Sequence, residues 1–161
     1  MDATYLITGG LGFIGSAVAR RVVRSGARAV VFDAETYAAS RQAAEDCARS
    51  ERYTLEIGDV RDRAALDRVI AANRPDMILH LAAETHVDRS IEGPGAFIET
   101  NVNGTFAVLQ AARAYYEGLA GDARARFRLH HISTDEVFGT LGADDPAFTE
   151  DSPYDPRSPY A

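Results

Sequence analysis

The run Thr8-Gly9-Gly10-Leu11-Gly12-Phe13-Ile14-Gly15 constrains the fold of this chain more than any other segment. An apolar strand-like stretch, residues 3–8, leads into it. An amphipathic pattern over residues 13–25 leaves it, with Ile14, Val18 and Val22 expected on the inward face. Each glycine answers a steric need. Gly9 permits the tight turn, Gly12 lets backbone approach a diphosphate on the helix N-terminus, and Gly15 lets the helix pack close to the sheet. Strand, glycine turn and helix in that order form a dinucleotide-binding signature when an acid closes the following strand. Asp33 does so, 18 residues after Gly15. A carboxylate there accepts from a ribose 2′-hydroxyl and repels a 2′-phosphate. Ala34 and Glu35 add no cation, so NAD is expected rather than NADP, with Arg41 the nearby residue that could reverse the preference.

The rest of the chain alternates short apolar runs with longer helical patterns. Strands are expected at 28–33, 53–57, 77–81 and 128–132. Helices are expected at 40–50, at 62–73 with Asp62 as N-cap and Leu66, Val69 and Ile70 inward, and at 95–119. Gly26 ends the first helix and Pro75 follows the third; a loop is expected over 82–94 and irregular chain from Gly139 on. Repeated βα units imply an α/β fold: a Rossmann-type, doubly wound parallel sheet with helices on both faces. All 161 residues read as one NAD-binding domain. Asp59 and Val60, ending the third strand, are placed to flank an adenine. Leu81, Ala82 and Ala83 end the fourth strand at the carboxyl edge, where open α/β sheets bind ligands.

Composition narrows the partners. A net charge of -7 argues against nucleic acid and anionic membrane surfaces. No apolar run approaches the roughly 20 residues of a membrane span, and the N-terminus lacks the apolar core of a signal peptide, so a cytoplasmic location is expected. The single cysteine, Cys47, excludes an internal disulfide and reads as an incidental thiol in a polar helix. No set of His, Asp and Glu has metal-ligand spacing, so no metal is expected. His80, His130 and His131 lie on strands and read as structural; Tyr115 and Tyr116 read as packing residues.

Four further segments carry chemistry-bearing residues: 80–91 (HLAAETHVDRSI), 97–102 (FIETNV), 127–137 (FRLHHISTDEV) and Ser158-Pro159-Tyr160. With the glycine turn, they make the whole chain resemble the dTDP-glucose 4,6-dehydratases, a family of the extended short-chain dehydrogenase/reductase (NAD-dependent epimerase/dehydratase) superfamily. Asp135-Glu136 after Ser133-Thr134 is the narrowing feature, because epimerases and decarboxylases of the superfamily usually lack that pair. The chain departs from the family pattern at several positions. Thr85 stands for a common serine, Ala34, Ala39 and Ser40 for lysine, glycine and asparagine, and Phe138 for a common tyrosine.

The resemblance implies a lyase of deoxysugar nucleotide metabolism that converts dTDP-glucose to dTDP-4-keto-6-deoxyglucose. Tyr160 would take the proton of the sugar 4-hydroxyl as hydride leaves C4. Glu136 would remove the acidified C5 proton, and protonated Asp135 would assist loss of the C6 hydroxyl as water, before hydride returns to C6. Two carboxyls with opposed duties fit the rule that environment separates their acidities. Thr134 would position the sugar, making the catalytic set Thr134, Asp135, Glu136 and Tyr160, and the substrate contacts Thr85, His86 and Thr134. The cofactor set is Gly9, Gly12, Phe13, Ile14, Gly15, Asp33, Thr36, Asp59, Val60, Leu81, Ala82, Ala83, Thr85, Thr100 and Tyr160. Free tyrosine has a pKa of about 10 and needs a positive neighbour. In the family that neighbour is the lysine of a Tyr-x-x-x-Lys motif, which falls beyond Ala161 together with a C-terminal substrate-binding part. The resemblance also implies a homodimer at full length, packed through the helix at 95–119. Two other readings are a 4-epimerase or decarboxylase of the same superfamily, and an NAD-binding unit without turnover. For the 161 residues alone, the expectation is at most weak NAD binding.

Overall fold

Strand pairing decides the architecture. In the computed structural model, which describes residues 3–161, five strands pair side by side in the order β3-β2-β1-β4-β5. They are β1 (Thr4–Thr8), β2 (Arg28–Asp33), β3 (Tyr53–Ile57), β4 (Met77–His80) and β5 (Arg128–His131), and every pairing is parallel. The register places Leu6 beside Val30 and Ile78, and Ile7 beside Val31 and Leu79. Because side chains alternate along a strand, these two rows face opposite sides of the sheet. Leu6, Val30 and Ile78 join Leu66, Val69 and Ile70 of α3 (Arg63–Asn73) and Val108, Ala111 and Ala112 of α6 (Thr105–Gly118). Ile7 and Val31 join Ala19 and Val22 of α1 (Phe13–Arg24). Two cores on two faces define the doubly wound sheet. Each fully buried Leu, Val or Ile contributes about 1.5–3 kcal/mol relative to an exposed one.

Local signals explain the well-read elements. Asp62 accepts a hydrogen bond from the Ala65 N–H and caps α3, which Arg74 ends in a left-handed conformation. Gly26, at φ +85°, follows α1. Other elements differ from expectation. In α1, Val22 is buried with Gly15, Ser16 and Ala19, and Val18 packs against the same core as expected, whereas Ile14, with Phe13, is exposed. The reason is that the first turn of α1 overhangs the carboxyl edge of the sheet instead of lying on it.

The helix expected over 40–50 is broken into a 3₁₀ turn (Gln42–Ala44) and a short α2 (Glu45–Ala48). Ala44, at φ −100° and ψ 0°, makes the break, and the Arg20 guanidinium donates to the Ala43 carbonyl. Cys47 is not on a polar face. It is buried in the second core, which pushes its thiol pKa up. The segment 82–94 is not all loop: α4 (Val87–Glu92) forms within it, with Ser90 fully buried and its hydroxyl donating to the Val87 carbonyl at 2.6 Å. The long helix expected over 95–119 is α5 (Pro94–Phe97), a π-helical stretch (Ile98–Gly104) and α6 in continuous succession. A short α7 (Gly121–Arg126) precedes β5, and Tyr115 packs edge-on against Phe127. Among the described residues no helix is long and apolar enough to cross a membrane.

Candidate dinucleotide and sugar-nucleotide site

The strand order reverses between β1 and β4, and the cleft of this protein opens there. A crevice beyond the carboxyl ends of the strands at such a switch point is the usual ligand site of an open α/β sheet. The cleft has a volume of about 820 Å³. Gly9, Gly12, Phe13, Ile14 and Gly15 line it from the glycine turn, and Asp33 and Thr36 from the end of β2. Asp59 and Val60 follow β3, while Leu81, Ala82, Ala83, Thr85 and His86 follow β4. Thr100 comes from the π-helical stretch, and Thr134 and Tyr160 from the last part of the chain. Residues expected at the cofactor and the substrate therefore all share one concavity, and of the expected catalytic set two residues fall outside it. Asp135 and Glu136 sit on a one-turn 3₁₀ helix (Asp135–Phe138) next to Thr134, are exposed, and do not line the cleft.

The glycine turn is held by steric necessity and by one carboxylate. A Cβ on Gly15 would lie 2.1 Å from the Gly9 carbonyl oxygen, so only glycine allows α1 to start against the turn. That close approach is to the turn itself, not to the sheet as expected. Gly9, at φ +67°, would also drive a Cβ to 2.7 Å from the Ala82 backbone. Asp33 is buried, and its carboxylate accepts from the Leu11 N–H at 2.9 Å and the Glu35 N–H at 2.8 Å. It thus ties the glycine turn to the segment after β2. Gly12 caps α1 without a side-chain hydrogen bond, and no acid lies in the first helical turn. Free N–H groups and the positive end of a twelve-residue helix suit a diphosphate. Turn, small-residue walls and cleft size together fit a dinucleotide.

Several cleft residues escaped the sequence reading. Asn101, in the π-helical stretch, holds the Glu84 backbone by both its N–H and its carbonyl. π-helical turns often mark functional positions, but no local pattern announces this one. Arg61 lines the cleft and pairs with Asp59 at 2.6 Å, and that guanidinium lowers the Asp59 pKa. Below the cleft floor, buried His80 bridges Thr8 Oγ1 at 2.6 Å and Thr105 Oγ1 at 3.0 Å. Thr8 Oγ1 also accepts from the Ala82 N–H at 3.3 Å. Burial, with the charge of nearby His131, pushes the His80 pKa down to about 4, so the ring is neutral near pH 7. The His131 ring lies tilted against that of His80, with centroids 5.2 Å apart. Arg41 is engaged by Glu35. Among the described residues, no group of three or more His, Cys, Asp or Glu is arranged to hold a metal ion.

Comparison with known proteins agrees with this fold. The chain is 54% identical over 157 residues to a dTDP-glucose 4,6-dehydratase of Neisseria meningitidis serogroup B, a match covering 97% of this chain and 44% of that protein. It is 50% identical to dTDP-glucose 4,6-dehydratase 1 of Escherichia coli K12, covering 97% of this chain and 46% of that one. The solved dTDP-glucose 4,6-dehydratase of Streptomyces venezuelae, which has NAD bound, superposes with a TM-score of 0.84 at 39% identity over 98% of this chain and 47% of its own. The chain thus spans about half the length of the relatives it matches. The sequence pattern of the GDP-mannose 4,6 dehydratase family matches residues 6–161, from β1 to beyond Tyr160. With that match across nearly its whole length, the chain belongs to the GDP-mannose 4,6 dehydratase family, within the NAD-dependent epimerase/dehydratase superfamily.

Proposed function

We propose that this chain forms the NAD-binding part of a sugar-nucleotide 4,6-dehydratase acting on dTDP-glucose. The observation that carries the reading is the convergence of the glycine turn, Asp33, Thr134 and Tyr160 on one cleft. The relatives named as dTDP-glucose 4,6-dehydratases support the choice of substrate. The donor set fits NAD. The turn and the α1 N-terminus would hold the diphosphate, Asp33 the ribose, and Val60 and Ala82 the flat apolar groups. NAD, when bound, supplies the hydride acceptor and donor.

The remaining steps belong to the chain's own side chains. Tyr160 takes the 4-hydroxyl proton, and Thr134 hydrogen-bonds the sugar near that oxygen. Thr85 and His86, which line the same cleft, complete the sugar contacts. Glu136 then removes the C5 proton and Asp135 protonates the departing C6 hydroxyl. Both carboxyls must turn toward the sugar from the exposed 3₁₀ turn. Thr134 Oγ1 accepts from the Glu136 N–H at 3.2 Å, which ties the start of that turn to a cleft residue.

A homodimer and a cytoplasmic setting are part of the same proposal. Ile98, Val102, Phe106 and Leu109 form an exposed apolar stripe along the helix from the π-helical stretch into α6, suited to a second copy.

The test is incubation of the full-length natural protein with NAD and dTDP-glucose. Formation of a 4-keto-6-deoxy sugar nucleotide, lost in Glu136→Gln, is expected. A product epimerised at C4, formed equally well by Glu136→Gln, would instead establish an epimerase.

A further inference from the structure

The segment after β2 carries a cation and an anion that the proposed reaction does not use. Glu35 adopts φ +51° and is, with Arg74, one of two described non-glycine residues at positive φ. Arg74 ends a helix, where that conformation is common. Glu35 has no such reason, and a glutamate there is uncommon. Its backbone N–H donates to Asp33, and its carboxylate receives Nε and Nη2 of Arg41, the latter at 2.8 Å. The far side of the segment is anchored as well, the Ser40 N–H donating to the Leu11 carbonyl at 2.9 Å. Between these anchors Thr36, Ala38 and Ala39 line the cleft. Arg41 is thereby held to Glu35, two residues along the chain from the acid that would meet the ribose. The pairing holds the Glu35 carboxyl below its ordinary range.

We infer that Glu35 is a cofactor-specificity residue: its two-point ion pair withholds the Arg41 guanidinium from a 2′-phosphate at the ribose end of the cleft. A nearby arginine is the usual means of accepting a 2′-phosphate. Here the cation is present but committed, so two carboxylates disfavour the phosphorylated dinucleotide, Asp33 by repulsion and Glu35 by sequestration. The inference rests on the dinucleotide reading of the cleft. Arg41 is 65% exposed at its side chain, so it is free to swing once released.

The test is titration of NAD and NADP onto the full-length protein and onto Glu35→Gln, Arg41→Ala and the double variant, at physiological salt. The single Glu35→Gln change is expected to strengthen NADP binding about tenfold relative to NAD, a charge-assisted contact regained. Arg41→Ala alone is expected to leave NADP affinity within about twofold, because an exposed and already committed arginine contributes little. In the double variant the gain should vanish. A gain that survives without Arg41 would overturn the inference, since Glu35 would then act by its own charge. No gain in Glu35→Gln, with NAD still bound by the unsubstituted protein, would overturn it as well. Failure of the unsubstituted protein to bind NAD would remove the dinucleotide reading and this inference together.

Discussion

Asn101 grips the backbone of Glu84 from both sides, its side-chain oxygen accepting from the Glu84 N–H at 2.8 Å and its amide donating to the Glu84 carbonyl at 2.9 Å. The clamp joins the π-helical stretch to the chain leaving β4, and both line the cleft. It fixes the wall that carries Thr85 and His86. Asn101→Ala should cost about 1–3 kcal/mol of stability, as two partly buried backbone groups lose their partner. It should weaken NAD binding as well. Chemical unfolding and a cofactor titration check both, and hydrogen exchange at the Glu84 amide should quicken.

Two glycines separate a packing demand from a conformational one. Gly15→Ala forces a methyl to within 2.1 Å of backbone oxygen, so the turn must open. A loss of about 2–4 kcal/mol and of NAD binding is expected, in the range of severe overpacking. Gly26 has φ +85° but open space around it. Gly26→Ala should cost only about 1 kcal/mol and leave binding unchanged. Thermal melts of the two variants side by side would reveal the difference.

His80 makes stability depend on pH in a stated direction. Its folded pKa, about 4, lies below its unfolded value, so the unfolded chain binds the extra proton first. The stabilising contribution is complete above the unfolded pKa of about 6.5 and is lost as pH falls toward about 4. The loss should reach about 3 kcal/mol over that window. His131, whose pKa is also lowered by burial and by His130, acts in the same direction. Urea unfolding at a series of pH values should show a shallower slope in His80→Asn than in the unsubstituted protein. Equal slopes would place the titration elsewhere.

Asp33 serves two backbone donors at once, and an amide can accept but also presents hydrogens. Asp33→Asn should therefore leave either Leu11 or Glu35 facing a donor, costing about 2 kcal/mol, the value of a charge-assisted bond. NAD affinity should fall by about tenfold or more from the displaced glycine turn. Calorimetric titration measures this directly.

What the sequence by itself determined was whatever depends on near neighbours. All five strands were legible to within about a residue or two at their ends, because apolar runs and turn residues are local. So were the Asp62 cap and the Gly26 stop. The glycine turn with Asp33 located the cleft, since its steric needs are written in adjacent residues. Only the tertiary structure decided what depends on segments meeting across the sheet. Ile14 faces the cleft because α1 overhangs the sheet edge, and Cys47 is buried because the second core closes over it. The Asn101 clamp, the Thr8–His80–Thr105 chain and the capture of Arg41 by Glu35 each join groups whose pairing no periodicity encodes. The short α4 had no capping side chain to announce it and owes its place to buried Ser90. Helix and strand patterns report which face is apolar, whereas polar partners are chosen by geometry that exists only once the layers have packed.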